Sequence, residues 1–212
     1  VATKHLCRKD SEKLGLIGAG VQATTQLMAM ACIMKLKEVR VWSREEERAK
    51  TLIQKMSRQY PDIEFFITET PQKAVEEADI VVTATPSRLP ILKDGWIKSG
   101  THINAIGADA PGKQEVDPKI LKKAKIVVDD WEQACHGGEI NVPLAEGIIS
   151  EKEIYGELGE IVVGKKTGRV SDEEITVFVS TGLAVQDAVT AKLVYDKAVK
   201  RGLGIYIDFI ST

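Results

Sequence analysis

The chain lacks the features that mark membrane, secreted and nucleic-acid-binding proteins. No apolar run approaches the roughly 18 residues of a membrane span. The opening stretch "VATKHLCRKD" is polar and mixed, unlike a signal peptide. Cysteine is scarce, at 3 in 212 residues. Cys7, Cys32 and Cys135 stand far apart, are odd in number and form no CxxC. They are expected as reduced thiols of a cytoplasmic protein, not as a disulfide framework. Charge of one sign is also missing: 29 basic residues against 31 acidic leave a net charge of -2. That balance argues against nucleic acid as a partner, since such binders show a basic patch or stripe. No metal site is expected, because His136 beside Cys135 gives only a pair of potential ligands.

What is present is enough apolar material, 43% of residues, to bury a core as one large domain or a domain with an appendage. Short β-branched runs alternate with helical patterns. "KLGLIG" (13–18), "EVRVW" (38–42), "IEFFI" (63–67), "DIVVTA" (79–84), "HINAIG" (102–107) and "KIVVDD" (125–130) predict buried strands. Helical patterns separate them, among them "VQATTQLMAMACIMKL", "REEERAKTLIQKMSRQ", "TPQKAVEEA" and "PKILKKA". Parallel strands need crossover connections, so this rhythm predicts an α/β fold with a doubly wound parallel sheet. Residue 1 leads almost directly into the first strand. After residue 130, "YGELGEIVVGKKTGR" predicts a helix ended by glycine and "EITVFVS" (174–180) a further strand. Apolar positions at Leu183, Val185, Ala188, Val189, Leu193 and Val194 predict a long helix over 183–200. "LGIYIDFI" (203–210) predicts a last strand without a partner among the first six.

The first strand runs into "GAGVQA" (18–23), a G-x-G-x-x-A motif followed by a helix. Gly18 allows a tight turn, Gly20 a close approach by a pyrophosphate, and Ala23 keeps helix near strand. The backbone of Gly18, Ala19, Gly20, Val21 and Gln22 then faces the phosphates with unpaired N–H groups and the positive end of the helix dipole. Strand, motif, helix and second strand together predict a dinucleotide site. Sites selective for NAD place Asp or Glu about 20 residues on; here Ser43 and Arg44 stand in its place, ahead of Glu45 to Glu47. A hydroxyl and a guanidinium suit a 2′-phosphate, so NADP(H) is expected, with NAD(H) the alternative. A solvated Arg44 opening the next helix is the bland reading. "VTATPS" (82–87) should meet the cofactor at the strand ends, with Thr83, Thr85 and Ser87 as candidate donors, although β-propensity alone explains threonines.

"AIGADAPGKQE" (105–115) sets Asp109 among small residues. Taken alone it reads equally as a structural turn or an acid brought up to a ligand. His102, within a strand pattern, reads as a packed core histidine.

"GLIGAGVQA", "ADIVVTATPSRLPIL", "GTHINAIGADAPGKQEVD", "KIVVDDWEQACHGGEI" and "SDEEITVFVSTGLAVQDAVTAKLVY" resemble, in order, the signatures of the ornithine cyclodeaminase/mu-crystallin family. "HGGEINV" looks most like its archaeal-type alanine dehydrogenase branch. The resemblance implies a cytosolic homodimer with a Rossmann domain and a separate domain for substrate binding and dimerisation. It implies hydride transfer between an amino acid and its imino or keto counterpart, of alanine dehydrogenase, ornithine cyclodeaminase or ketimine reductase type. On that likeness Asp109 is the catalytic acid–base group, with Gly107 and Lys113 of the same loop near cofactor or carboxylate. Ser180 and Gly182 of "STGLA" are then expected near the nicotinamide.

The sequence departs from the family where Val179 replaces a usual Asp, and by lacking an N-terminal half. The expected organisation is therefore a dinucleotide-binding domain over 1–200 and, over 201–212, a strand returning to the absent domain. Two functions compete: an amino-acid/imino-acid oxidoreductase represented by its cofactor domain, and an NADP(H)-binding module without turnover.

Overall fold

The computed structural model describes residues 1–205 and 207. In chain order the elements are α1 (Ala2–Leu6), β1 (Lys13–Ile17), α2 (Val21–Ile33), β2 (Glu38–Trp42), α3 (Glu46–Gln59), β3 (Glu64–Ile67), α4 (Pro71–Val75), β4 (Ile80–Thr83) and β5 (His102–Ala105). There follow α5 (Pro118–Lys123), β6 (Lys125–Val128), α6 (Trp131–Gly137), α7 (Asn141–Ala145), β7 (Ile154–Glu157), α8 (Leu158–Val162), β8 (Thr176–Val179) and α9 (Ala184–Lys200). The chain parts into two compact units, Val1–Thr181 and a second beginning at Gly182.

The first unit holds one 8-stranded sheet in the order β3-β2-β1-β4-β5-β8-β6-β7. Every neighbouring pair is parallel. Helices cover both faces, which is why β4, β5 and β8 are buried at every position. Near the edge, β2 alternates and β3 leaves Phe66 and Ile67 exposed. Alternate residues of each strand feed opposite cores. Leu14, Leu16, Ile80 and Val82 pack with Ala23, Leu27 and Met56 of α2 and α3. Ile17, Val81, Ile103, Ile126, Val128 and Val177 pack with Val75 of α4 and Ile120 and Leu121 of α5. The sheet is therefore doubly wound, as the alternation of the sequence predicts.

Two details differ from expectation. A helix, α1, precedes the first strand; Ala2 and Leu6 pack against Val127, Ile161 and Phe178, so tertiary burial holds a helix too short to persist alone. The segment read as one helix from Tyr155 first pairs with β6 as β7 and becomes α8 only at Leu158. A capping box sets that boundary: Glu157 N–H donates to Glu160 Oε2, fixing the helix start after Glu157. The predicted strand 174–180 is realised as β8, whose place between β5 and β6 the sequence did not specify. The strand expected over 203–210 falls largely outside the described residues; 203–205 and 207 form no strand.

In the second unit, α9 covers the helix predicted from the apolar spacing, and Val185, Val189, Leu193 and Val194 are exposed. Among the described residues no helix is long and apolar enough to cross a membrane.

Candidate functional site

Strand order reverses between β1 and β4, with β2 and β3 to one side and the later strands to the other. At such a point the loops beyond the strands' carboxyl ends diverge and leave a crevice. Here it is a cleft of about 410 Å³ whose lining includes Gly18, Gly20, Ser43, Arg44, Thr85 and Ser87. The glycine motif forms its floor. Gly18 has φ +109°, and a Cβ there would lie 2.4 Å from the Ala84 carbonyl oxygen. Conformation and contact both require glycine. Gly20 differs: its φ is -85° and a Cβ would meet nothing within 4 Å. The protein itself leaves that space open. Gly20 is also the N-cap of α2 and brings no side chain to cap it. The first-turn N–H groups at Val21 and Gln22 thus lack an intrahelical partner beside an open space, the setting in which a helix start receives an anion.

Across the cleft, Ser43 and Arg44 follow β2. The neighbouring acids are compensated: Glu45 pairs with Arg48 at 2.9 Å, and Glu46 and Glu47 with Lys50 at 3.0 and 2.7 Å. Arg44 is exposed and pairs with no carboxylate among the described residues, so it presents its charge to the cleft. Arg48 also lines this wall. On the β4 side, Ser87 N–H donates to Thr85 Oγ1 (3.3 Å) and Ser87 Oγ to the Leu89 carbonyl (2.7 Å), so these hydroxyls also shape the turn. Thr83 is fully buried beneath it.

The loop after β5 stands beside the β4 loop because the strands are neighbours. Asp109 is exposed on it, and Lys113 Nζ donates to Asp109 Oδ1 at 2.5 Å. Beneath, Glu115 is fully buried. Its Oε1 accepts from Thr85 N–H (2.7 Å) and its Oε2 from Gly107 N–H (2.8 Å). Gly107 has no room for a Cβ, which would lie 2.3 Å from the Thr85 carbonyl oxygen and 2.4 Å from Glu115 Oε2. Glycine is therefore required there by close approach. Glu139, also fully buried, accepts at Oε1 from Glu115 N–H (2.8 Å) and Val116 N–H (2.7 Å). Burial pushes the Glu115 carboxyl above its usual range. Burial, and then the charge of Glu115, push Glu139 well above it. Asn141 completes the support, accepting from Gly112 N–H and donating to the Lys113 carbonyl, both at 2.9 Å.

Ser180 and Thr181 follow β8, and Asp129 at the end of β6 holds them: Thr181 N–H donates at 2.7 Å, Thr181 Oγ1 at 3.1 Å and Ser180 Oγ at 3.2 Å. Gly182, with φ +81°, opens the second unit. Val179 is buried in the core, packed with the β5 and β6 side chains. His102 is fully buried, with Nδ1 2.8 Å from Thr176 Oγ1 and Nε2 3.2 Å from Asn104 Oδ1. Burial first, and then the Arg169 guanidinium, hold its pKa down to about 3. It is a neutral core histidine. Cys7, Cys32 and Cys135 are free thiols, and His136 Nδ1 turns to the Glu132 carbonyl of its own helix.

The structure thus brings Gly18, Gly20, Ser43, Arg44, Thr85 and Ser87 to one cleft and places the Asp109 loop beside its β4 wall. Sequence reasoning passed over Glu115, Asp129, Glu139 and Asn141. Asp129 stands at the carboxyl end of a predicted strand, a position that was a usable signal. Nothing in "KQEVD" or "GGEIN" marks their glutamates as buried.

Sheet order, glycine turn and switch-point cleft define a Rossmann-type α/β domain. The chain belongs to the ornithine cyclodeaminase/mu-crystallin family, whose sequence profile matches residues 1–202. It is 47% identical over 209 residues to an alanine dehydrogenase of Archaeoglobus fulgidus, covering 99% of this chain and 64% of that protein. Among solved structures it resembles an archaeal alanine dehydrogenase dimer with bound NAD (TM-score 0.93, 47% identity, 99% of this chain and 64% of that one). It also resembles the Δ1-pyrroline-2-carboxylate reductase of Thermococcus litoralis in complex with NADH and L-proline (TM-score 0.94, 43% identity, 97% and 64%). The chain spans just under two thirds of the length of these relatives.

Proposed function

We propose that this chain is the cofactor domain of an NAD(P)-dependent oxidoreductase that interconverts an amino acid and its imino or keto acid. The observation that carries this reading is the open space over Gly20, at an uncapped helix start, in the cleft that Glu115 ties to the Asp109 loop. Backbone N–H groups at Val21 and Gln22 would hold the pyrophosphate. Arg44 and Ser43 would receive the adenosine end, and the charge of Arg44 makes a 2′-phosphate welcome, so NADP(H) is accepted beside NAD(H). A dinucleotide held there would supply hydride exchange at the substrate carbon.

Asp109 takes the role of general base: its carboxylate accepts a proton from the substrate amine, or orients water at the imine carbon, and stabilises the positive charge of the iminium. Lys113 holds one of its oxygens, so the substrate's cationic amine must displace or share that ammonium. Ser180, Gly182, Thr85, Ser87, Ala19, Gly107 and Lys113 are proposed as cofactor neighbours; Thr83, expected as a donor to ribose or phosphate, is fully buried beneath the cleft and is withdrawn from that role. The division at residues 200/201, a cytosolic location, and a homodimer with substrate groups contributed from outside this chain are likewise proposals. The dimer draws support from the archaeal alanine dehydrogenase dimer.

The test compares wild type with Asp109→Asn, measuring NADH and NADPH binding to this chain and turnover of the full-length protein with cyclic imines or with pyruvate plus ammonia. Asp109→Asn should bind dinucleotide unchanged and lose turnover by about 10²–10⁴-fold. Unchanged turnover ends the role of Asp109. The Asp109–Lys113 ion pair favours a second reading, a binding module, since it occupies the base; cofactor binding with no turnover in any pair would establish that instead.

A further inference from the structure

A carboxylate buried in an apolar core is expensive unless its oxygens are satisfied. Glu115 and Glu139 are two of them, both fully buried, stacked beneath one loop. Their hydrogen bonds are unequal. Both oxygens of Glu115 accept backbone N–H groups, from Thr85 and Gly107. Glu139 accepts both of its donors at Oε1, while Oε2 is buried with no partner. An uncapped carboxylate oxygen in the core is the costlier orphan, whereas the hydroxyl of a neutral acid tolerates that position better. The Thr83 hydroxyl faces Glu115 without closing a hydrogen bond of normal geometry.

The backbone groups held this way flank the Asp109 loop. Thr85 belongs to the β4 wall of the cleft, Gly107 begins the Asp109 loop, and Glu115 and Val116 end it. Other charged groups nearby are engaged elsewhere: Asp109 and Lys113 pair with each other at the surface, and His136 turns to its own helix. Glu115 is the charge that acts on Glu139.

We propose that Glu115 and Glu139 are positioning residues that carry a single negative charge between them: Glu115, ionised, locks the cofactor cleft to the Asp109 loop, and Glu139, as the neutral acid, holds Glu115's own backbone in place. The pair couples occupancy of the cleft to the position of the loop acid. Ionising Glu139 sets two charges side by side and releases the loop. This inference rests on the cofactor reading above.

The experiment titrates the 212-residue chain with NADH, followed by its fluorescence, for wild type, Glu115→Gln, Glu139→Gln and Glu139→Ala. The same proteins are followed by amide hydrogen exchange at Thr85, Gly107, Glu115 and Val116. Glu115→Gln must point an amide N–H₂ at one of two backbone N–H donors, so NADH affinity should fall by about tenfold or more, as expected for losing a hydrogen bond to a charged acceptor. Glu139→Gln keeps the Oε1 acceptor and cannot ionise. It should bind like wild type near neutrality and lack the fall in affinity expected of wild type as alkaline pH ionises Glu139. Glu139→Ala should lose both affinity and exchange protection at residues 115 and 116. Wild-type affinity in Glu115→Gln overturns the proposal, as does a Glu139→Gln variant as weak as Glu139→Ala or retaining the alkaline fall. If wild type binds neither NADH nor NADPH, the cofactor reading fails by itself, and exchange decides. Loss of Thr85 and Gly107 protection in Glu115→Gln, with protection kept in Glu139→Gln, then supports the lock, and any other pattern overturns it.

Discussion

Acidification should destabilise this domain at His102, and the structure sets the size of that contribution. The imidazole is fully buried between Thr176 and Asn104, and its pKa is held down to about 3 against the ordinary 6.5. Between those values the unfolded chain binds a proton that the folded chain refuses. Stability therefore rises with pH across that window and is flat above about 6.5. At roughly 1.4 kcal/mol per pH unit, the ceiling is about 5 kcal/mol near pH 3, and the loss at about pH 5 is roughly 2 kcal/mol. Glu115 and Glu139 act with the opposite sign: raised carboxyls keep protons that the unfolded chain releases, so they gain stability on acidification. Wild type alone mixes these contributions. The clean measurement is urea unfolding of wild type and His102→Gln at about pH 7.5, 6 and 5, where the difference between the two proteins isolates the histidine. His102→Gln should be the less stable at pH 7.5 and lose less on acidification, narrowing the gap by about 2 kcal/mol at pH 5. Parallel curves for the two proteins would refute the assignment of His102 as a neutral core residue.

Two further outcomes follow from the cleft. Arg44→Ala should weaken NADPH binding by about tenfold or more, from loss of a charge-assisted contact, and leave NADH binding nearly unchanged; equal losses for both refute a 2′-phosphate role. Gly18→Ala puts a side chain at φ +109° and 2.4 Å from the Ala84 carbonyl oxygen. It should lower unfolding free energy by about 2 kcal/mol or more, and a wild-type melting curve would show that the β1–α2 turn relaxes at little cost.

The sheet was legible because parallel strands covered on both faces are mostly apolar, although β5 buries His102 and Asn104 and the edge strand β3, expected to be buried, is largely exposed. β2 matches its predicted run Glu38–Trp42, and β1, β4, β5 and β6 begin or end within a few residues of theirs. Periodicity says nothing of lateral order, so the insertion of β8 between β5 and β6 was not readable. α1 and β7 escaped for a related reason. Each is short, and each exists because a distant surface covers it: Phe178 and Ile161 for α1, the β6 edge for β7.

The site divides along the same line. Gly18, Gly20, Ser43 and Arg44 could be named beforehand because their requirements are local: a turn, a helix start, a strand end. Asp109 could be named because its loop string is distinctive. Glu115 and Glu139 could not, because a charged residue in a polar stretch is ordinarily solvated. What buries them is the convergence of the β4 loop, the β5 loop and the α6–α7 connection, which lie up to 54 residues apart between Thr85 and Glu139. The exposed acid on such a loop is only as well placed as the backbone beneath it. Here that backbone is held by side chains whose burial no local pattern announces, so a motif can point to a candidate acid while the residues that hold its loop come into view only with the fold.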